Sequence, residues 1–139
     1  MTPKANRRVV VTGMGLITPV GCGLETAWKN ILKGKSGASL IKHFDVSDLA
    51  CKIAAVIPRV DGRAGGHSQM EGVFDPEKVM SLRDSKRMDD FIVYSIAASD
   101  EALIDAGWKP DVSQVNDLER TGVMFGSGIG GLQTTYDAS

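Results

Sequence analysis

The sequence predicts an α/β layered fold, and three observations carry the prediction. Val9-Val10-Val11 is a continuous β-branched run ended by Gly13, the pattern of a buried strand covered on both faces. Helix-periodic segments follow, one from Glu25 to Leu32 and a longer one from Asp90 to Ala106. Thr121 to Phe125 is again strand-like and runs straight into Gly126-Ser127-Gly128-Ile129-Gly130-Gly131. Strands alternating with helices specify a sheet layered under helices.

Each element has its own physical signature. Arg7 and Arg8 before an apolar run imitate an export signal, but Thr12, Gly13, Gly15, Thr18 and Pro19 interrupt the run and no smooth hydrophobic helix can form there. The helix from Glu25 to Leu32 is expected to bury Ala27, Trp28, Ile31 and Leu32, and to close at Gly34. Ile53 to Ile57 reads as a second strand, stopped by Pro58. Residues 59–76 hold Gly62, Gly65, Gly66 and Gly72 among polar neighbours, and are expected to form a mobile surface excursion. Asp89 is placed to cap the helix Asp90 to Ala106, with Gly107 as a left-handed stop and Pro110 beyond it. That helix is apolar on most sides and is expected to be buried. Its small residues Ser95, Ser99 and Ala102 fall at helical spacing, so another backbone can approach closely there.

Composition narrows the function classes. A chain of 139 residues with 42% hydrophobic and 24% charged residues has enough apolar material for one globular domain. Its 16 basic and 17 acidic residues create no overall field for nucleic acid or anionic lipid. No apolar run approaches the ~20 residues of a membrane-spanning helix. Two cysteines without a paired motif fit a reducing compartment, so the expected location is cytoplasmic.

Several local motifs suggest chemistry and fail on spacing. Gly13-Met14-Gly15 opens a dinucleotide fingerprint, but Thr18 stands where its third glycine belongs and Pro19 disturbs the helix start. Gly126 to Gly131 satisfies the glycine pattern, yet the acidic partner expected ~20 residues on would fall past Ser139. Gly34-Lys35-Ser36 resembles the end of a phosphate-binding loop, with Lys29 in the place of its first glycine. Cys22, between two glycines, could stand exposed as a nucleophile, but neither His43 nor His67 is spaced to activate it or Cys51. The same four residues lack the short paired spacing of a zinc site. Arg83, Lys86 and Arg87 fall at i, i+3 and i+4, which on a helix places three cations on one face.

In sequence order, Arg7-Arg8-Val9-Val10-Val11-Thr12-Gly13-Met14-Gly15, Thr18-Pro19-Val20-Gly21 and Gly34-Lys35-Ser36-Gly37 resemble the start of a β-ketoacyl-acyl carrier protein synthase. His43-Phe44-Asp45, Lys86-Arg87-Met88-Asp89-Asp90-Phe91 and Phe125 to Gly131 continue the resemblance, which covers residues 7 to 132. Met88-Asp89-Asp90-Phe91 and Ile129 within the glycine run look more like the type II elongating synthases than type I.

The resemblance implies a thiolase-like layered fold, α-β-α-β-α when complete, with residues 1–139 as most of its N-terminal half. It implies a decarboxylating Claisen condensation: a Cys thiolate takes the acyl chain as a thioester, malonyl-carrier loses carbon dioxide, and the carbanion attacks the thioester. By the same resemblance the nucleophilic Cys and its two His lie beyond Ser139, so no catalytic residue is expected in this chain and 139 residues alone are expected to be inactive. Gly128, Ile129 and Gly130 resemble the wall of the acyl-chain pocket, and Arg83, Lys86 and Arg87 the docking surface for an acidic acyl carrier protein. The implied assembly is a homodimer with no cofactor of its own, the phosphopantetheine arriving on the carrier, and with neither nucleic acid nor membrane as partner. A noncatalytic chain-length-factor-like subunit of the same fold is the alternative, and a dinucleotide-binding domain using Gly126 to Gly131 a further one.

Overall fold

The computed structural model describes residues 7–61, 71–109 and 111–139. A short antiparallel hairpin, β1 (Ile17–Thr18) and β2 (Gly21–Cys22), leads into helix α1 (Leu24–Leu32). A second antiparallel pair follows, β3 (Ala38–Leu40) with β4 (Ile53–Ala55), in the register Ala38 to Ala55 and Leu40 to Ile53. After a 3₁₀ turn at Pro76–Lys78 come α2 (Leu82–Ser85), the long α3 (Asp90–Asp105), α4 (Val115–Glu119) and α5 (Leu132–Asp137).

Helix α3 is the organising element, and its ends fall where the sequence specifies, but Asp89 stands at the N-cap without the expected side-chain cap bond because its carboxylate is engaged by Thr134. Asp89 has the extended backbone of an N-cap (φ −66°, ψ 150°), and Gly107 takes the left-handed conformation (φ 65°) that closes the helix. Residues 12–16 lie across α3 and run against its direction. A Cβ at Gly13 would overlap the backbone at Ala102 and Ala106, and one at Gly15 the backbone at Ala98. The close backbone approach is therefore present but falls on Ala98, Ala102 and Ala106, sharing only Ala102 with the expected strip of Ser95, Ser99 and Ala102.

Two carboxylates of α3 hold this crossing. Asp105 Oδ2 accepts from Met14 N–H at 2.9 Å, and Glu101 Oε2 from Leu16 N–H at 2.9 Å. The other Glu101 oxygen accepts from Leu24 N–H at 2.6 Å. Since Gly23 supplies no side-chain cap to α1, a carboxylate 77 residues away satisfies one of its orphan amides. Asn30 Nδ2 donates to Val20 C=O at 2.6 Å and ties α1 back to the hairpin.

Several expectations are corrected. Val9 to Val11 form no strand and are exposed, Val9 at 92%; residues 121–125 form none either. A β-branched run becomes a strand only where a neighbour takes its N–H and C=O groups. Among the described residues no neighbouring segment takes those groups. The second strand stops at Ala55, short of the expected Ile57, and the two ladders are antiparallel; the parallel pairing among the described residues is an isolated bridge of Arg59 with Phe74. On α1 only Ala27 is buried, while Trp28, Ile31 and Leu32 are exposed because no described element covers that face. Helix α3 fully buries only Val93, and Ile104 is 77% exposed.

The middle of the 59–76 stretch, residues 62–70, lies outside the described residues. Its two ends are held together: Val60 N–H donates to Phe74 C=O at 3.0 Å, Phe74 N–H to Pro58 C=O at 2.7 Å, and Cys22 N–H to Gly72 C=O at 2.7 Å. Arg59, Phe74 and Pro76 are buried.

Candidate functional site

The first turn of α3 is the junction around which the candidate residues gather. Arg59, 3% exposed, reaches it from the end of the second ladder. Its guanidinium fork binds Asp61 in two places, Nε to Oδ1 at 2.9 Å and Nη2 to Oδ2 at 2.7 Å, while Nη1 meets Asp90 at 2.9 Å and donates to the Tyr94 hydroxyl at 2.8 Å. The rings of Phe74 and Tyr94 meet edge to face at 4.9 Å, and the guanidinium carbon lies 5.6 Å from each ring centre. A buried cation is tolerated when it is charge-paired and its nitrogens are hydrogen-bonded, as all three guanidinium nitrogens are here. Asp61's hydrogen bond holds the guanidinium still more firmly protonated, against the effect of burial. Burial pushes the Tyr94 phenol up, opposed by Arg59. This node is a structural anchor without a reactive group.

Immediately before α3 stand the three cations singled out by spacing. Ser81 caps α2 by accepting from Asp84 N–H at 3.2 Å, and Lys86 keeps a right-handed helical backbone (φ −71°, ψ −14°). A single helical turn is therefore enough to give Arg83, Lys86 and Arg87 the expected spacing on one side. All three are exposed, and none forms an ion pair among the described residues. Asp84, which could have neutralised them, accepts from the Ser81 hydroxyl at 2.6 Å.

The glycine run reaches the same junction from the other side. Gly130 (φ 76°) faces the Phe91 ring, and Thr134 Oγ1 donates a short hydrogen bond to Asp89 Oδ1. Gly130 N–H donates to Ser127 Oγ at 3.1 Å and closes the loop on itself. Ile129, between Gly128 and Gly130, is 79% exposed. The structure thus brings the glycine run to the start of the helix that the three cations immediately precede. Sequence reading missed Arg59, Asp61, Tyr94 and Thr134, whose partnerships span up to 45 residues and leave no periodic signal.

The cysteines stand apart from this junction. Cys22 is half-buried in β2, where burial pushes its thiol up to about 11, so it is the opposite of an activated nucleophile. Cys51 is exposed, and its Sγ contacts Ile53 C=O at 3.3 Å. His43 stacks edge to face on Phe44 at 4.8 Å, and His67 lies outside the described residues. Among the described residues no group of His, Cys, Asp or Glu could hold a metal ion, and no helix is long and apolar enough to cross a membrane. A groove of about 550 Å³ runs between residues 12–15, α3 and residues 121–125, lined by Gly13, Ala102 and Phe125 among others and by no titratable side chain.

Residues 6–139 match the β-ketoacyl synthase, N-terminal domain, family, and the chain belongs to that family. More particularly, it is similar to 3-oxoacyl-[acyl-carrier-protein] synthase 2 of Rhizobium meliloti (strain 1021), 45% identical over 95% of this chain and 29% of that protein. The synthase 2 of Vibrio cholerae is 42% identical over 93% of the chain and 27% of its own length, and the chloroplastic synthase II of Arabidopsis thaliana 38% over 98% and 23%. A solved structure, the ishigamide ketosynthase/chain length factor, matches with a TM-score of 0.57 and 30% identity over 76% of this chain and 23% of that one. The fold is of the thiolase-like ketosynthase class, and the chain spans less than a third of the length of these relatives.

Proposed function

We propose that this chain is the N-terminal part of a type II β-ketoacyl-acyl carrier protein synthase, which elongates fatty acyl chains by decarboxylating Claisen condensation. The observation that carries the reading is the match to the ketosynthase family along residues 6–139, joined by relatives named synthase 2 at up to 45% identity. In this reading the chain supplies binding surfaces and no reacting group. The nucleophile and its histidines belong to the remainder of the protein. Arg83, Lys86 and Arg87 receive the acidic carrier, a role supported by their exposure and by the absence of ion-pair partners for them among the described residues. Gly128, Ile129 and Gly130 contribute to the wall beside the acyl chain. The protein works as a cytoplasmic homodimer, without a resident cofactor, and the phosphopantetheine comes on the carrier.

The test uses the full-length protein with acyl-carrier and malonyl-carrier. Replacing Lys86 and Arg87 with Glu is expected to raise KM for acyl-carrier with little change in kcat, and added salt to raise the wild-type KM, because screened charge attraction acts over about 8 Å at physiological ionic strength. A coenzyme A thioester, which lacks the carrier, is expected to respond to neither. Equal losses with both substrates would remove the docking role.

The solved ketosynthase/chain length factor structure favours a second reading, a noncatalytic subunit of the same fold. Intact mass after incubation with an acyl thioester separates the two: a covalent acyl group on a Cys beyond residue 139 marks the enzyme, and its absence the subunit.

A further inference from the structure

The geometry points to Asp89 as a positioning residue that fixes the Gly126–Gly131 loop, and with it Ile129, against the start of α3. Its functional readout rests on the condensing-enzyme reading above, whereas the positioning itself does not.

An Asp with N-cap backbone ordinarily accepts a hydrogen bond from the second or third amide of its own helix. Asp89 has that backbone and makes no such bond. Its carboxylate is turned instead to Thr134, 45 residues on, whose hydroxyl donates to Oδ1. The same carboxylate fills the space where a Cβ at Gly131 would stand, so that position admits only glycine while the contact persists. Two polar atoms and one bare backbone are thereby committed to a single contact between distant segments, where a local cap was available.

Asp89 is a fixed post. Its C=O accepts from Ile92 N–H at 2.9 Å and Val93 N–H at 3.4 Å, and the next residue, Asp90, is held by buried Arg59 at 2.9 Å. The loop it holds moves as a unit, because Gly130 N–H binds Ser127 Oγ at 3.1 Å and Leu132 N–H binds Gly130 C=O at 3.1 Å. Ile129 lies inside that unit and has no other described restraint. Where Asp89 holds the loop therefore decides where Ile129 stands, and with it which acyl chains the neighbouring wall accepts.

The experiment compares Thr134→Val, Asp89→Ala and Asp89→Asn in the full-length protein. Amide hydrogen exchange of residues 126–132 is expected to quicken by about tenfold in Thr134→Val and Asp89→Ala, the consequence of one lost charge-assisted hydrogen bond. Asp89→Asn keeps an acceptor oxygen for Thr134 and is expected to restore most of the protection. The ratio of kcat/KM for long against short acyl thioesters is expected to shift in the first two variants, with KM for the carrier unchanged. Unchanged exchange in both Thr134→Val and Asp89→Ala would overturn the proposal. Faster exchange with an unchanged chain-length ratio would overturn its specificity part. A wild-type protein that exchanges as expected but does not condense would instead refute the function reading, leaving the positioning intact.

Discussion

Arg59 and Val10 make opposite use of the same fold. Arg59 carries a full charge and is 3% exposed; Val10 is a β-branched hydrophobe and is 64% exposed. The guanidinium is buried because Asp61, Asp90 and Tyr94 occupy its donors and two rings cover its faces. Val10 is exposed because nothing described pairs with its backbone or packs on its side chain. Polarity thus does not decide burial by itself; completion of partners does.

The comparison can be broken most sharply at Arg59. Replacing Arg59 with Met leaves Asp61 and Asp90 facing each other across an apolar side chain, and a broken buried pair ordinarily costs about 3–5 kcal/mol. Because those carboxylates keep 30% and 44% of their exposure, the expected loss is nearer about 2 kcal/mol, read as a lower urea midpoint of the full-length protein. Arg59→Lys is expected to fall between, since a single ammonium cannot match the two-point contact with Asp61. An unchanged midpoint in Arg59→Met would mean that the anchor contributes specificity and no stability.

A smaller effect is expected where the N-terminal segment crosses α3. In Gly15→Ala the new Cβ overlaps the Ala98 carbonyl, so the segment must lift and loosen the Leu16 bond to Glu101, at about 1–3 kcal/mol. Loss of protection at the Leu16 and Leu24 amides, measured by hydrogen exchange, locates the damage. Full protection at both would show that the crossing is not held by Glu101.

The smallest effect concerns the cysteines. At pH 8 Cys51 is expected to be alkylated first and Cys22 slowly, since a thiol moved from 9.0 to about 11 carries ~100-fold less thiolate. The pH dependence has a definite sign. Folding favours the protonated Cys22, so this group leaves stability untouched below pH 9.0 and weakens the fold as pH rises from 9.0 toward about 11. Equal labelling rates would place Cys22 in open solvent.

Helix α3 was the most legible element in extent, since the apolar run and Gly107 are local signals and Asp89 marks its first turn, although the Asp89 side chain does not bond to that turn. Helix α1 was legible in extent and not in facing: the periodicity placed Trp28, Ile31 and Leu32 together, yet a stripe names a face and not what covers it. The cation cluster was readable because i, i+3 and i+4 spacing needs only one turn. The glycine run was readable as a loop, but its attachment to Asp89 was not, because a hydroxyl donating across 45 residues has no sequence period.

By itself the sequence determined the helix ends, the turn glycines and the family, all of which rest on short-range stereochemistry or on the order of motifs. Tertiary structure alone decided which polar groups became partners. It spent the Asp89 carboxylate on Thr134 and not on its own helix, called on Glu101 to cap α1, and closed three donors of Arg59 inside a pair of rings. It also decided that Val9 to Val11 are not a strand in the described structure. The physical reason is common to these cases: a helix satisfies its backbone from within, whereas strands, caps and buried charges need groups that only the folded chain brings near.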